Sequence, residues 1–177
     1  MACYWLYYGS LLAQSIDKHE KLSRKTNSRE RAKKRITGGP FIPLPIRVIE
    51  HPNYIALSTK AVKLLIDMCK QLHFKVGGPA NNGDISIAWT LMSKRGWHSK
   101  ETLRQAVLEL SYYEFIQLTR QGGRNKCNLY AITWWARDEC QGKLELKATA
   151  APPDDWIKPK AKYQKKFSYP KTVPSYP

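Results

Sequence analysis

The stretch from Ser99 to Trp134 constrains what this chain can fold into more than any other part of it. Ser99 is a good helix-capping residue, and Glu101 in the following turn suits the positive end of a helix dipole. Leu103, Ala106, Val107 and Leu110 recur at i, i+3, i+4 and i+7, which predicts an amphipathic helix over 99–112 with one face in a core. Glu101, Arg104, Gln105, Leu108 and Tyr112 fall on the opposite face. Behind the helix, 115–120 and 126–134 both favour strand, and Gly122-Gly123 between them accepts a tight turn. A β-hairpin with a basic tip is the expectation.

Upstream, Ser58 can cap a helix running to about His73, with Ala61, Leu64, Leu65, Met68 and Leu72 on one stripe. Pro45 can open a short helix, Ile46 to Glu50. Val76 to Gly83 reads as a turn-rich loop, Asp84 to Ile87 as a short strand, and Trp89 to Arg95 as a brief helix ended by Gly96. Lys18 to Arg35 is polar with no apolar stripe, and Gly38-Gly39-Pro40 breaks it, placing the domain start near 37. After Trp135 the pattern weakens to one more short element at most. From Ala151 the chain turns rich in Pro, Lys and Tyr. The expected division is an apolar segment and basic N-terminal arm over 1–36, a domain over 37–150, and a flexible, disordered C-terminal tail over 151–177.

A chain of 177 residues has room for one domain with flanking arms. Its 30 Lys and Arg against 14 Asp and Glu leave a net charge of +16, which points to a polyanionic partner. The surplus sits at the ends: residues 1–36 carry nine basic against three acidic side chains, and 158–177 carry six Lys and no acid. Such arms can hold phosphates without being part of a fold. No apolar stretch approaches the roughly 18 residues that span a bilayer. Met1 to Ile16 lacks the charged start and cleavage site of a secretory signal; it is open to reading as a packing segment, a peripheral membrane contact or a misassigned start. A cytoplasmic, nucleoid-associated location is expected.

Catalytic and metal chemistry finds little support. Cys3, Cys69, Cys127 and Cys140, like His19, His51, His73 and His98, are scattered without zinc-ligand spacing. Gly77-Gly78 and Gly122-Gly123 lack the spacing of a phosphate-binding loop. The expectation is no enzyme, no metal and no cofactor, with the cysteines acting as small buried hydrophobes. Trp89, Trp97, Trp134 and Trp135 sit at element ends among apolar neighbours, and packing is preferred over base stacking for them.

Helix, short strand, short helix, Gly-containing turn, amphipathic helix and hairpin is the element order of the winged helix-turn-helix family, and residues 55–134 resemble it, most clearly in GDISIAWTLMSKRGWHSKETLRQAVLELSYYEFIQLTRQGGRNKCNLYAITW. GPFIPLP followed by HPNYIALSTKAVKLL is similar to the entry of winged-helix modules in phage replication protein O and related proteins, and to small helix-turn-helix proteins of proteobacteria and their mobile elements. The resemblance implies an α+β fold, a three-helix core plus a β-hairpin wing, that binds double-stranded DNA. Helix 99–112 would read the major groove through Ser99, Lys100, Arg104 and Gln105, while Lys94, Arg95 and His98 hold phosphates at the corner. Arg120, Arg124 and Lys126 edge the wing. Transcriptional regulation in a bacterium, phage or mobile element is the leading function. The alternatives are a plasmid or phage replication-initiation module, or a protein-interaction platform docking through Leu108, Tyr112 and the first sixteen residues. Partners on these readings are DNA, a second copy of the chain as a homodimer, or another protein. A solvated basic helix face and an exposed hairpin tip are the plainer accounts of the same residues.

Overall fold

The computed structural model describes residues 40–75 and 77–164. The described residues from Ile42 onward fall within one compact unit. The apolar segment and basic arm expected over 1–36, and the tail beyond 164, lie outside the described residues.

Five α-helices and two small antiparallel sheets make up the regular structure of the described residues, a mixed α+β fold. Helix α1 (Ile46–Ile49) starts after extended Pro45 and buries Val48. Helix α2 (Pro52–Ile55) has Pro at its first position, where no N–H is needed, and the His51 ring accepts from the Asn53 amide. Helix α3 (Thr59–Cys69) is capped by Ser58, whose hydroxyl accepts from the Ala61 amide at 3.2 Å, and it buries Ala61, Leu64, Leu65 and Met68 as the stripe required. It ends at Cys69, short of His73, and β1 (Phe74–Lys75) pairs with β2 (Gly78–Pro79), which lies inside the loop expected over 76–83, as a two-strand ribbon.

Strand β3 (Ile85–Ser86) leads into α4 (Trp89–Met92), a 3-10 turn (Ser93–Arg95) and Gly96 in the left-handed region at φ 78°. Helix α5 (Lys100–Tyr112) follows, with Ser99 Oγ accepting from the Thr102 amide at 3.3 Å. It packs on α3 through the predicted face, Leu103, Ala106, Val107 and Leu110, all buried. Burial of a Leu or Val side chain contributes about 1.5–3 kcal/mol. Strands β4 (Ile116–Arg120) and β5 (Leu129–Ile132) form the expected hairpin, with Ile116 opposite Ile132 and Leu118 opposite Tyr130, and a register shift before Arg120. The sheet order is β3-β5-β4, so β5 is central and all four of its residues are buried.

The packed unit does not stop at 150. Trp156 is 2% exposed, stacks on Phe115 with centroids 6.0 Å apart, and takes the His51 ring on its edge at 5.1 Å. Buried Asn53 clasps the same segment: its amide donates to the carbonyls of Trp156 and Lys158, both at 2.8 Å, and its oxygen accepts from the Lys160 amide at 3.0 Å. The disordered tail expected from 151 is therefore corrected over 151–164. Pro and Lys there cover the outside while one aromatic supplies the burial that composition alone concealed. Trp156→Ala should destabilise the protein by about 3–5 kcal/mol in urea unfolding, the scale of a large aromatic removed from a core. A loss under about 1 kcal/mol would show the segment to be peripheral to stability.

Candidate nucleic-acid interface

The amino-terminal half of α5 is the part of that helix left open. Lys100, Glu101 and Arg104 are exposed, Gln105 is half-buried, and the side chains of Arg104 and Glu101 are 58% and 62% accessible. Arg104 Nε and Nη2 each donate to Glu101 at 2.8 Å, and Gln105 Nε2 donates to the same carboxylate at 2.7 Å. These bonds, the one from Arg104 first, hold the Glu101 carboxyl down at about 2. Lys100 stands over Trp89, 5.7 Å from the ring centroid, and forms no ion pair with a described residue.

Leu108 and Tyr112 are not open, although the helical wheel places them on the outward face. Leu108 is 1% exposed, and the Tyr112 hydroxyl donates to the Ala161 carbonyl at 3.1 Å. The outward strip of α5 therefore narrows to its first turns. A groove of about 560 Å³ runs between the helix and the hairpin, walled by Trp89, Leu103, Val107, Leu108 and Tyr130, with Lys100 and Arg104 also lining it. A second groove, of about 740 Å³, lies on the other flank of α5, lined by Glu101, Gln105 and Glu109 on the helix and by Lys60, Lys162 and Tyr163 across from it. Glu109 is committed within it, accepting from the Ser58 amide and hydroxyl at 2.6 Å each.

At the corner, Lys94 and His98 are exposed, as the sequence reading requires of phosphate-contacting side chains. Arg95 is used otherwise. Its Nε and Nη2 donate to Asp67 Oδ1 at 3.0 and 2.6 Å, and Asp67 Oδ2 accepts from Lys63 Nζ at 2.7 Å and from the Trp97 indole at 2.8 Å. Arg95 thus ties the corner to α3. Asp67 was missed in the sequence; its one visible signal is the i, i+4 spacing from Lys63, which gives no hint of Arg95 or Trp97. Burial acts to raise the Asp67 pKa, but the bonds from Lys63, Trp97 and Arg95 together outweigh it and leave the group below its ordinary 3.8.

On the hairpin, Arg124 and Lys126 are exposed at the tip, where Gly123 and Lys126 exchange backbone bonds of 3.1 Å. Arg120 faces inward: Nη2 donates to the Cys127 carbonyl at 3.2 Å and Nε is buried without a partner. It braces the hairpin from within. Gly122 is needed for space, since a Cβ there would sit 2.6 Å from Asn128 Oδ1 and 2.8 Å from backbone. Burial pushes the Cys69 thiol up to about 12 and Cys140 up to about 11, so neither supplies thiolate near neutrality. Among the described residues no His, Cys, Asp and Glu group is arranged to hold a metal, and no helix is long and apolar enough to cross a membrane.

No family model, curated protein or solved structure was found that matches this chain.

The Asp67 cluster sets a pH test. Because its folded pKa is depressed, the stability Asp67 contributes is full above about pH 4 and is lost as pH falls through the folded value. Asp67→Asn should cost about 2 kcal/mol at pH 7, below the full buried-pair figure because Arg95 and Lys63 are partly solvated. The gap to wild type should close as unfolding is measured at progressively lower pH below 4. A gap that stays constant down to pH 2 would remove Asp67 from the acid response.

Proposed function

We propose that this protein is a winged helix-turn-helix DNA-binding protein that acts without a cofactor, as a transcriptional regulator. The observation that carries the reading is the sheet order: β3, between α3 and α4, pairs with β5, and the β4–β5 hairpin follows α5 directly. That order supports the winged reading, in which the last core helix is presented beside a ribbon.

On this reading the first turns of α5 enter the major groove. The free amides at its start, with Ser99, meet a phosphate, and Lys100 and Arg104 reach base edges or the adjoining backbone. Arg104 must leave Glu101 to grip guanine in a bidentate fork. An exposed pair of this kind contributes little in water, so a base can replace the carboxylate. Lys94 and His98 take phosphates at the corner. Arg124 and Lys126 take the backbone or minor groove beside it, while Arg95 and Arg120 hold the scaffold. Affinity then comes chiefly from phosphates, and sequence preference from Arg104 and Gln105.

A docking role for the same fold has one observation in its favour: the apolar groove beside α5, walled by Leu103, Val107 and Leu108, offers a surface with no sequence code. Selection of duplexes from a random pool, followed by a salt series, separates the two. DNA binding predicts a log–log salt slope of about −0.9 per neutralised phosphate, and Lys94→Ala and Lys126→Ala should each reduce its steepness by about one contact while weakening all sequences alike. Arg104→Ala with Gln105→Ala should instead erase the preference between sequences. Retained preference in that double variant would remove Arg104 and Gln105 from base readout, and no binding at low salt would transfer the assignment to docking.

A further inference from the structure

The two side chains of α5 that can pair bidentately with a base are both occupied. The Gln105 carboxamide donates from Nε2 to Glu101 and accepts at Oε1 from the Tyr163 hydroxyl at 3.4 Å, while Arg104 has two of its nitrogens on Glu101. Tyr163, Gln105, Glu101 and Arg104 therefore form one hydrogen-bonded chain across the open strip. Adenine would need both ends of the carboxamide, and guanine would need the guanidinium fork.

Tyr163 arrives on the segment that follows buried Trp156. The Tyr163 amide donates to the Tyr113 hydroxyl at 2.9 Å, its ring lies 5.5 Å from that of Tyr112, and Tyr112 in turn bonds Ala161. Lys160 donates to the Tyr112 carbonyl at 2.7 Å and to Glu114 at 2.9 Å. The segment has two kinds of attachment. Its root is fixed by fully buried Trp156 and the Asn53 clasp, whereas its tip, 161–164, is held by the half-buried Tyr163 ring at the edge of the core and by polar contacts at partly solvated sites, each polar contact worth little alone.

We propose that residues 158–164 form an autoinhibitory strap whose tip, through Tyr163, withholds Gln105 and the Glu101–Arg104 pair from bases, and that specific DNA binding requires the tip to swing away while the root stays seated. This rests on the DNA-binding reading above. Displacement leaves Trp156 covered, and it frees Lys162, exposed beside Tyr163, to follow the phosphate backbone.

Charge-neutral variants test it. Tyr163→Phe and Tyr112→Phe each delete one hydroxyl that holds the tip, and neither side chain is placed against DNA. Each should bind the selected duplex about twofold to tenfold more tightly, the range of one net hydrogen bond, with a melting temperature within a few degrees of wild type. Hydrogen exchange adds a readout that does not depend on affinity: the Tyr163 amide, protected in the free protein by Tyr113, should exchange faster once specific duplex is bound. Equal or weaker binding by both variants, or unchanged exchange at Tyr163 on binding, overturns the strap and leaves the DNA reading standing. If wild type and both variants bind no duplex at low salt, the strap and the reading beneath it fall together.

Discussion

The face of α5 carrying Leu103, Ala106, Val107 and Leu110 is buried against α3, and that burial fixes the rotation of the helix about its own axis. Everything on the candidate interface follows from the angle so set. With these four positions inward, Lys100, Glu101 and Arg104 are carried outward together, and Val107 and Leu108 line the groove between the helix and the hairpin. A helix has no other means of choosing which side faces solvent; its backbone is symmetric about the axis, and only differential burial of side chains breaks the symmetry.

Irregular segments are held around this seam by buried polar side chains with their bonds made. Asn82, fully buried, donates to the carbonyls of Ile132, Trp135 and Ala136 and accepts from the Ile132 amide, pinning the loop before β3 to the end of β5. Asn53 does the same for the segment after Trp156, and Asp67 for the corner before α5. Each is a single side chain satisfying groups far away in sequence, which makes a loop as specific in position as a strand. The corner and the strap flank α5 from two such anchors.

The electrostatics of the strip are less open than a basic helix face suggests. Glu101 draws Arg104 and Gln105 to itself, so the formal positive charge there is partly cancelled at short range. Among the cations that form no ion pair with a described residue, Lys94, Lys100, Arg124 and Lys126 lie at the corner, the first turn of the helix and the hairpin tip. Exposed cations without an ion pair and the Arg104–Glu101–Gln105 group, held by its own hydrogen bonds, are thus separated along the surface.

The parts legible in the sequence are those governed by residues a few positions apart. Capping by Ser58 and Ser99, the buried faces of α3 and α5, and the hairpin closed at Gly122 depend on helical and strand periodicity and on turn sterics, all local. Helix α2, the β1–β2 ribbon and the seating of Trp156 were not legible, because each is stabilised by contacts from elsewhere: His51 against Trp156, Phe74 against Trp135, Phe115 under Trp156. Arg95 and Lys94 are neighbours of one charge type in the same turn, yet one is bound to Asp67 and the other is exposed and forms no ion pair with a described residue. By itself the sequence determined which faces are apolar and where helices begin, since those follow from near-neighbour chemistry. Which basic side chains remain available, and what lies over the helix that carries them, was decided only in three dimensions, because the partners of a polar group are chosen by proximity across the fold.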